Sequence, residues 1–180
     1  MGRSDNHARG NELRLKRLAS SIEALRKKDE VLLARARDVA ALRRAAALEI
    51  HNVCRRFVAS LNQLLSTNTV VLDPAEFTEA GFLEDTPNLI QINVRGRILQ
   101  VGFSATAELY STEDFRIAYT LEGSVRAFNQ ELLEKERIEE QLIFFTVEKK
   151  GGMWRFFDAR TYRSGPFDQE YLISLMEQLI

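Results

Sequence analysis

The sequence predicts an α+β protein with a long N-terminal helix of coiled-coil type. An antiparallel β-meander of about six strands follows, packed with a C-terminal helix. Three observations carry this expectation. Residues 11–73 contain neither Gly nor Pro before Pro74 and are rich in Ala, Leu, Arg, Lys and Glu, the strong helix formers. Apolar residues there recur in heptads. Beyond residue 85 the pattern changes to short alternating runs separated by turn residues. The organisation expected is a disordered tail over 1–11, a long amphipathic helix over 12–66 and a globular domain over 67–180.

The heptad frame places Leu15, Ile22, Asp29, Ala36, Arg43, Ile50, Phe57 and Leu64 at a. It places Leu18, Leu25, Leu32, Val39, Ala46, Val53 and Ser60 at d. Twelve of these fifteen are apolar, the exceptions being Asp29, Arg43 and Ser60. A frame kept over so many turns points to a long helix with one dedicated face. Up to Arg26 the stripe is the narrow seam that suits one partner helix. From Leu33 onward the e positions Leu33, Ala40, Ala47, Cys54 and Leu61 are apolar too. A stripe that wide suits a helix lying on the chain's own globular part or in a bundle of more than two helices. The polar run from Arg26 to Glu30 marks the one place where a bend, capped by Asp29, would fit.

After the loop Ser66-Thr67-Asn68-Thr69, Asp73-Pro74 reads as the start of a short helix ending at Gly81. Ile90, Ile92 and Val94 alternate with Gln91, Asn93 and Arg95, and Arg95-Gly96 forms a two-residue turn into Leu99, Val101 and Phe103. Phe115, Ile117, Tyr119 and Leu121 read as another strand. Glu122-Gly123 then turns the chain into a strand around Val125 and Ala127. Residues 130–140 fit either a short helix or a strand extension. Leu142 to Val147 has the character of a central strand, and Lys149 to Gly152 turns it into Trp154–Phe157. Asp168 caps a closing helix, with Phe167 and Leu172 as a hydrophobic staple. Tyr171, Leu172, Leu175, Met176 and Leu179 form its buried stripe.

The chain has 180 residues, 45% of them hydrophobic and 28% charged, an ordinary globular composition. Its net charge of −1 is unevenly spread. Residues 1–60 hold fourteen Lys/Arg against seven Asp/Glu, whereas residues 61–180 hold eleven against nineteen. A basic arm and an acidic body result. The single cysteine, Cys54, excludes an intrachain disulfide, and a cysteine-rich metal site has no ligands. A reducing, cytoplasmic location fits that count. The polar stretch Met1–Asn11 lacks the apolar core of a secretory signal, and Asn6 stands where a myristoylation motif requires Ser or Thr. No membrane span, cofactor, metal or catalytic residue is expected.

The residues that invite a chemical role each have a plainer explanation. His7 lies in the polar tail, and His51 at heptad position b is expected to face solvent. Cys54 is expected in the core. The adjacent carboxylates Glu84-Asp85, Glu113-Asp114 and Glu139-Glu140 are expected as solvated charge. Gly151-Gly152 precedes no helix and is a hairpin rather than a phosphate loop. The aromatic residues 144–162 are expected mostly in the core. Phe144 and Phe157 fall on the sheet face opposite Phe145, Phe156 and Trp154, and if the helix covered only one face they would form an exposed patch of the kind that marks a partner site.

The functional expectation is therefore a non-enzymatic assembly or adaptor protein. Leu15, Leu18, Ile22, Leu25 and Leu32 would form its partner interface, with a second copy or another helical protein. The β domain would present a second face. The alternative is a nucleic-acid-associated protein, with Arg26, Lys27 and Lys28 as phosphate contacts. The basic side chains surround the helix rather than sharing one face, which favours the first reading.

Overall fold

A computed structural model describes residues 3–129, 139–149 and 151–180, with residues 3–9 described by backbone alone. Helix α1 spans Arg3–Leu64. The polar run Arg26–Glu30 stays helical. Seven strands follow: β1 (Val70–Asp73), β2 (Asn88–Val94), β3 (Arg97–Ala105), β4 (Tyr119–Phe128), β5 (Glu139–Glu148), β6 (Gly151–Asp158) and β7 (Arg163–Pro166). Helix α2 (Gln169–Leu179) ends the chain. The strands form one sheet in sequence order, every neighbour antiparallel. The α+β class and the meander are as the sequence predicts. The chain divides into two compact units, Met1–Ala40 and Ala41–Ile180.

Within the Ala41–Ile180 unit the helical segment lies on one face of the sheet. Ala46, Ala47, Ile50, Cys54 and Phe57 of α1 are buried with Ile90, Ile92, Leu99, Val101, Phe103, Leu121 and Ile143 of the sheet. The wide apolar stripe is thus explained by its partner, a sheet rather than a single helix. Trp154 lies at the centre of this contact. Its ring meets Phe103 and Phe145 edge-on, and its Nε1 donates to the Ala46 carbonyl at 2.8 Å. That bond satisfies the indole N–H inside the core.

Arg95 and Gly96 both take positive φ, 54° and 90°, and the Asn93 side chain accepts from Gly96 N at 2.8 Å. This is the turn expected between β2 and β3. Asp168 caps α2 by accepting from Tyr171 N at 2.9 Å, and Phe167 and Leu172 are both buried. Leu175 is buried at 6% exposure in the α2 stripe. Leu175→Ala is expected to lower unfolding free energy by about 2–5 kcal/mol in a denaturant titration. No change beyond error would show that α2 does not close the core.

Several expectations are corrected. Asp73-Pro74 does not open a helix: Asp73 ends β1, the peptide bond to Pro74 is cis, and only a 3₁₀ turn, Glu79–Gly81, follows. Phe115 and Ile117 lie outside any strand, in the segment that joins β3 to β4. The turn expected at Glu122-Gly123 is absent, and β4 runs through it. Gly123 serves another purpose there. A Cβ on it would lie 2.0 Å from the Gly102 carbonyl oxygen, so glycine is what lets β3 and β4 pass at this point. The short edges β1 and β7 complete the seven strands. The alternatives expected for 130–138 lie outside the described residues, while 139–140 begin β5.

Candidate interaction surface

In the first unit, the seam of α1 is exposed from Leu15 to Leu32. Leu15, Leu18, Ile22, Leu25 and Leu32 are 63%, 57%, 56%, 59% and 50% exposed. Leu33, at the adjoining e position, is 58% exposed beside them. Each turn of helix brings another a or d side chain to the same stripe, so these are neighbours on one face rather than scattered residues. Contiguous apolar patches of this kind mark interaction sites.

The charges around the seam are partly neutralised within the helix. Arg26 donates to Glu23 and Glu30, each at 2.5 Å, and Lys16 pairs with Glu12 at 2.9 Å. Lys27, one residue on, lies at heptad position f, away from the seam. These exposed pairs add little stability individually. They do remove Arg26 from the set of unengaged cations. Of the three residues expected as phosphate contacts, one is therefore held by two carboxylates of its own helix.

The second unit contains a polar node that the sequence does not announce. Arg43, an apparent break in the heptads, is buried at 6% exposure. Its Nε donates to Thr120 Oγ1 at 2.8 Å, and Nη2 donates to the Glu108 carbonyl at 2.9 Å and the Thr106 carbonyl at 3.2 Å. Nη1 pairs with Glu84. One guanidinium thus ties α1 to β4, to the start of the β3–β4 connection and to the segment before β2. Its planar fork directs five N–H donors from three separate nitrogens, whereas the three of an ammonium radiate from one. Glu84, expected as solvated charge, is the partner of this buried cation.

His51 is also corrected: it is 1% exposed rather than solvent-facing. Its Nε2 donates to the Pro74 carbonyl at 2.8 Å, and its ring stacks on Phe77 at 5.5 Å. Heptad position b points away from the seam, but the segment after β1 folds over that side of the helix. Cys54 is wholly buried, as expected, and burial pushes its thiol up to about 12. Thiolate chemistry is thereby suppressed.

The aromatic cluster is mostly buried, as expected, and its rings on the second sheet face form no exposed patch. Phe144 is 2% exposed, stacked against Phe115 at 5.1 Å and tilted against Tyr119 at 4.7 Å. Phe115 also meets Phe157. The segment joining β3 and β4 covers these rings. Tyr162 alone of the group stands out, at 82% exposure.

The carboxylates Glu113, Asp114 and Glu122 share a surface cavity of about 420 Å³. Burial pushes the Glu122 carboxyl upward, with the like charges of Asp114 and Glu113 adding and a hydrogen bond from Tyr119 opposing. The folded chain therefore holds this proton more tightly than the unfolded chain, and ionisation weakens the fold as pH rises. Glu122→Gln is expected to raise the thermal midpoint at neutral pH. The gain should vanish below about pH 4, where both folded and unfolded chains carry the protonated acid. A gain independent of pH would assign the effect to shape instead. Glu140 behaves oppositely: a hydrogen bond from Ser124, with Arg126 at 3.2 Å, holds its carboxyl below the ordinary range.

Among the described residues no cluster of three His, Cys, Asp or Glu side chains is placed to hold a metal, and no helix is long and apolar enough to cross a membrane. No protein-family model, curated protein or solved structure matches this chain.

Proposed function

We propose that this chain is a non-enzymatic assembly or adaptor protein. The first part of α1 joins a second copy of the chain, and the Ala41–Ile180 unit is the body carried by that junction. The observation behind this reading is the exposed seam itself, Leu15, Leu18, Ile22, Leu25 and Leu32, each at least half exposed. Later in the same heptad frame Ala46, Ile50, Val53 and Phe57 are buried in the core. One apolar stripe is thus satisfied within the chain in its second part and available to a partner in its first. Burying a side chain of this size contributes about 1.5–3 kcal/mol, enough in sum for a specific junction.

The opposing view, a basic helix bound to nucleic acid, has the charge imbalance of residues 1–60 in its favour. Against it stand the scatter of those charges around the helix and the pairing of Arg26 with Glu23 and Glu30. Light scattering across a micromolar concentration series, at low and high salt, separates the two. Association that grows with concentration and survives high salt is the result expected of an apolar seam. A chain that remains monomeric, yet binds oligonucleotides with steep salt dependence, would overturn the proposal.

A further inference from the structure

We infer that the second copy lies parallel to the first and in register, with Lys28 of each chain placed against Asp29 of the other. This inference rests on the proposed self-association and concerns its geometry. Asp29 is the one charged residue in the exposed part of the seam, at an a position. Neither Lys28 nor Asp29 makes an ion pair or side-chain hydrogen bond among the described residues, whereas neighbouring Arg26 is occupied by Glu23 and Glu30. An unpartnered carboxylate in an apolar interface needs a cation.

Coiled-coil geometry supplies that cation in one arrangement. In a parallel, in-register pair each a residue enters a hole bordered by the preceding g residue of the other helix. For Asp29 that residue is Lys28, and symmetry provides the contact twice. The g-to-e pairings across such an interface are Arg14 with Ala19, Ser21 with Arg26 and Lys28 with Leu33, so no two like charges meet there. At the a layer the two Asp29 carboxylates face each other, and the Lys28 of each chain, flanking that layer, offsets their repulsion. A shift of one heptad breaks the reciprocity: one Asp29 then faces Arg35, the other Ser21.

Antiparallel pairings are worse in every register of this frame. They set g against g, and the g positions are Arg14, Ser21, Lys28 and Arg35. Depending on register, Arg14 meets Arg35, Arg14 meets Lys28, Lys28 meets its own copy, or Lys28 meets Arg35. Asp29 faces Leu18, Leu25 or Leu32 in these pairings or, in the least overlapped, comes to the end of the seam. Repulsion of this kind discriminates between alternative pairings as effectively as attraction does.

Single cysteines at Leu18 and at Leu32, both d positions, test the geometry in the full chain under a thiol–disulfide buffer. Cys54 is wholly buried and does not compete. Each variant, Leu18→Cys and Leu32→Cys, is expected to form an interchain disulfide with its own copy. No antiparallel register brings both positions next to themselves. Lys28→Glu should weaken association roughly tenfold, and the exchange Lys28→Glu with Asp29→Lys should restore most of it. Association without disulfides at both positions would overturn the parallel arrangement and leave self-association standing. Disulfides at both positions with no rescue by the exchange would overturn the Lys28–Asp29 contact. A wild-type chain that does not associate would overturn the underlying proposal as well.

Discussion

Arg43→Met is expected to lower the unfolding free energy by about 3 kcal/mol, among the largest effects of a single substitution in this chain. Methionine keeps most of the stem volume, so the comparison isolates the guanidinium. Buried cations replaced by apolar groups are often harmless when their partners are replaced too. Here that escape is closed. The Thr106 and Glu108 acceptors are backbone carbonyls, which no substitution removes, and Thr120 Oγ1 is buried with them. Glu84 is 42% exposed and regains water, which keeps the loss at the lower end of what a broken buried pair costs. Arg43→Lys should recover less than half of the loss, because a single ammonium does not reach Thr120 and the Glu108 carbonyl together. A urea titration with unchanged slope and a lowered midpoint is the expected signature. A Met variant as stable as wild type would mean that water fills the node without penalty.

Ile22→Lys combined with Leu25→Lys is expected to weaken self-association at least about a hundredfold. The two positions are adjacent a and d sites, 56% and 59% exposed in the single chain. Each lysine replaces an apolar contact with a charge that the junction would have to desolvate. Neither side chain belongs to the core of the Ala41–Ile180 unit. Thermal unfolding of that unit should therefore be unchanged, which separates loss of the junction from loss of the fold. Unfolding of the whole chain by this pair would show that the seam packs internally.

Where local pattern and tertiary environment agree, the sequence is legible in this protein. The long helix, the Arg95-Gly96 turn and the Asp168 cap each follow from a local rule and are found where the rule puts them. Elements governed by partners distant in sequence are not legible. β7, Arg163-Ser-Gly-Pro, has no apolar alternation and exists through pairing with β6. Gly165 leaves room there for Phe156, whose ring would be 3.0 Å from an added Cβ. β1 has only four residues, too few for alternation to stand out. Gly123 mimics a turn signal although its lack of a side chain serves a close passage of two backbones.

The same division holds for the site. The seam residues are readable because helical period alone places them on one face. Arg43 reads as a flaw in that seam because its acceptors lie 41 to 77 positions away in sequence. His51 reads as solvated because a seam frame takes no account of the segment that covers position b. An arginine at a core position of an otherwise apolar stripe is the one signal that would have pointed to the node. A buried cation at such a position requires acceptors from elsewhere in the chain.

Sedimentation velocity on wild type and the Ile22→Lys, Leu25→Lys variant, at matched micromolar concentrations and high salt, tests the central claim most directly. The account predicts a faster species for wild type that grows with concentration, and a monomer throughout for the variant. Wild type and variant sedimenting alike, both as monomers or both as the same oligomer, would contradict it.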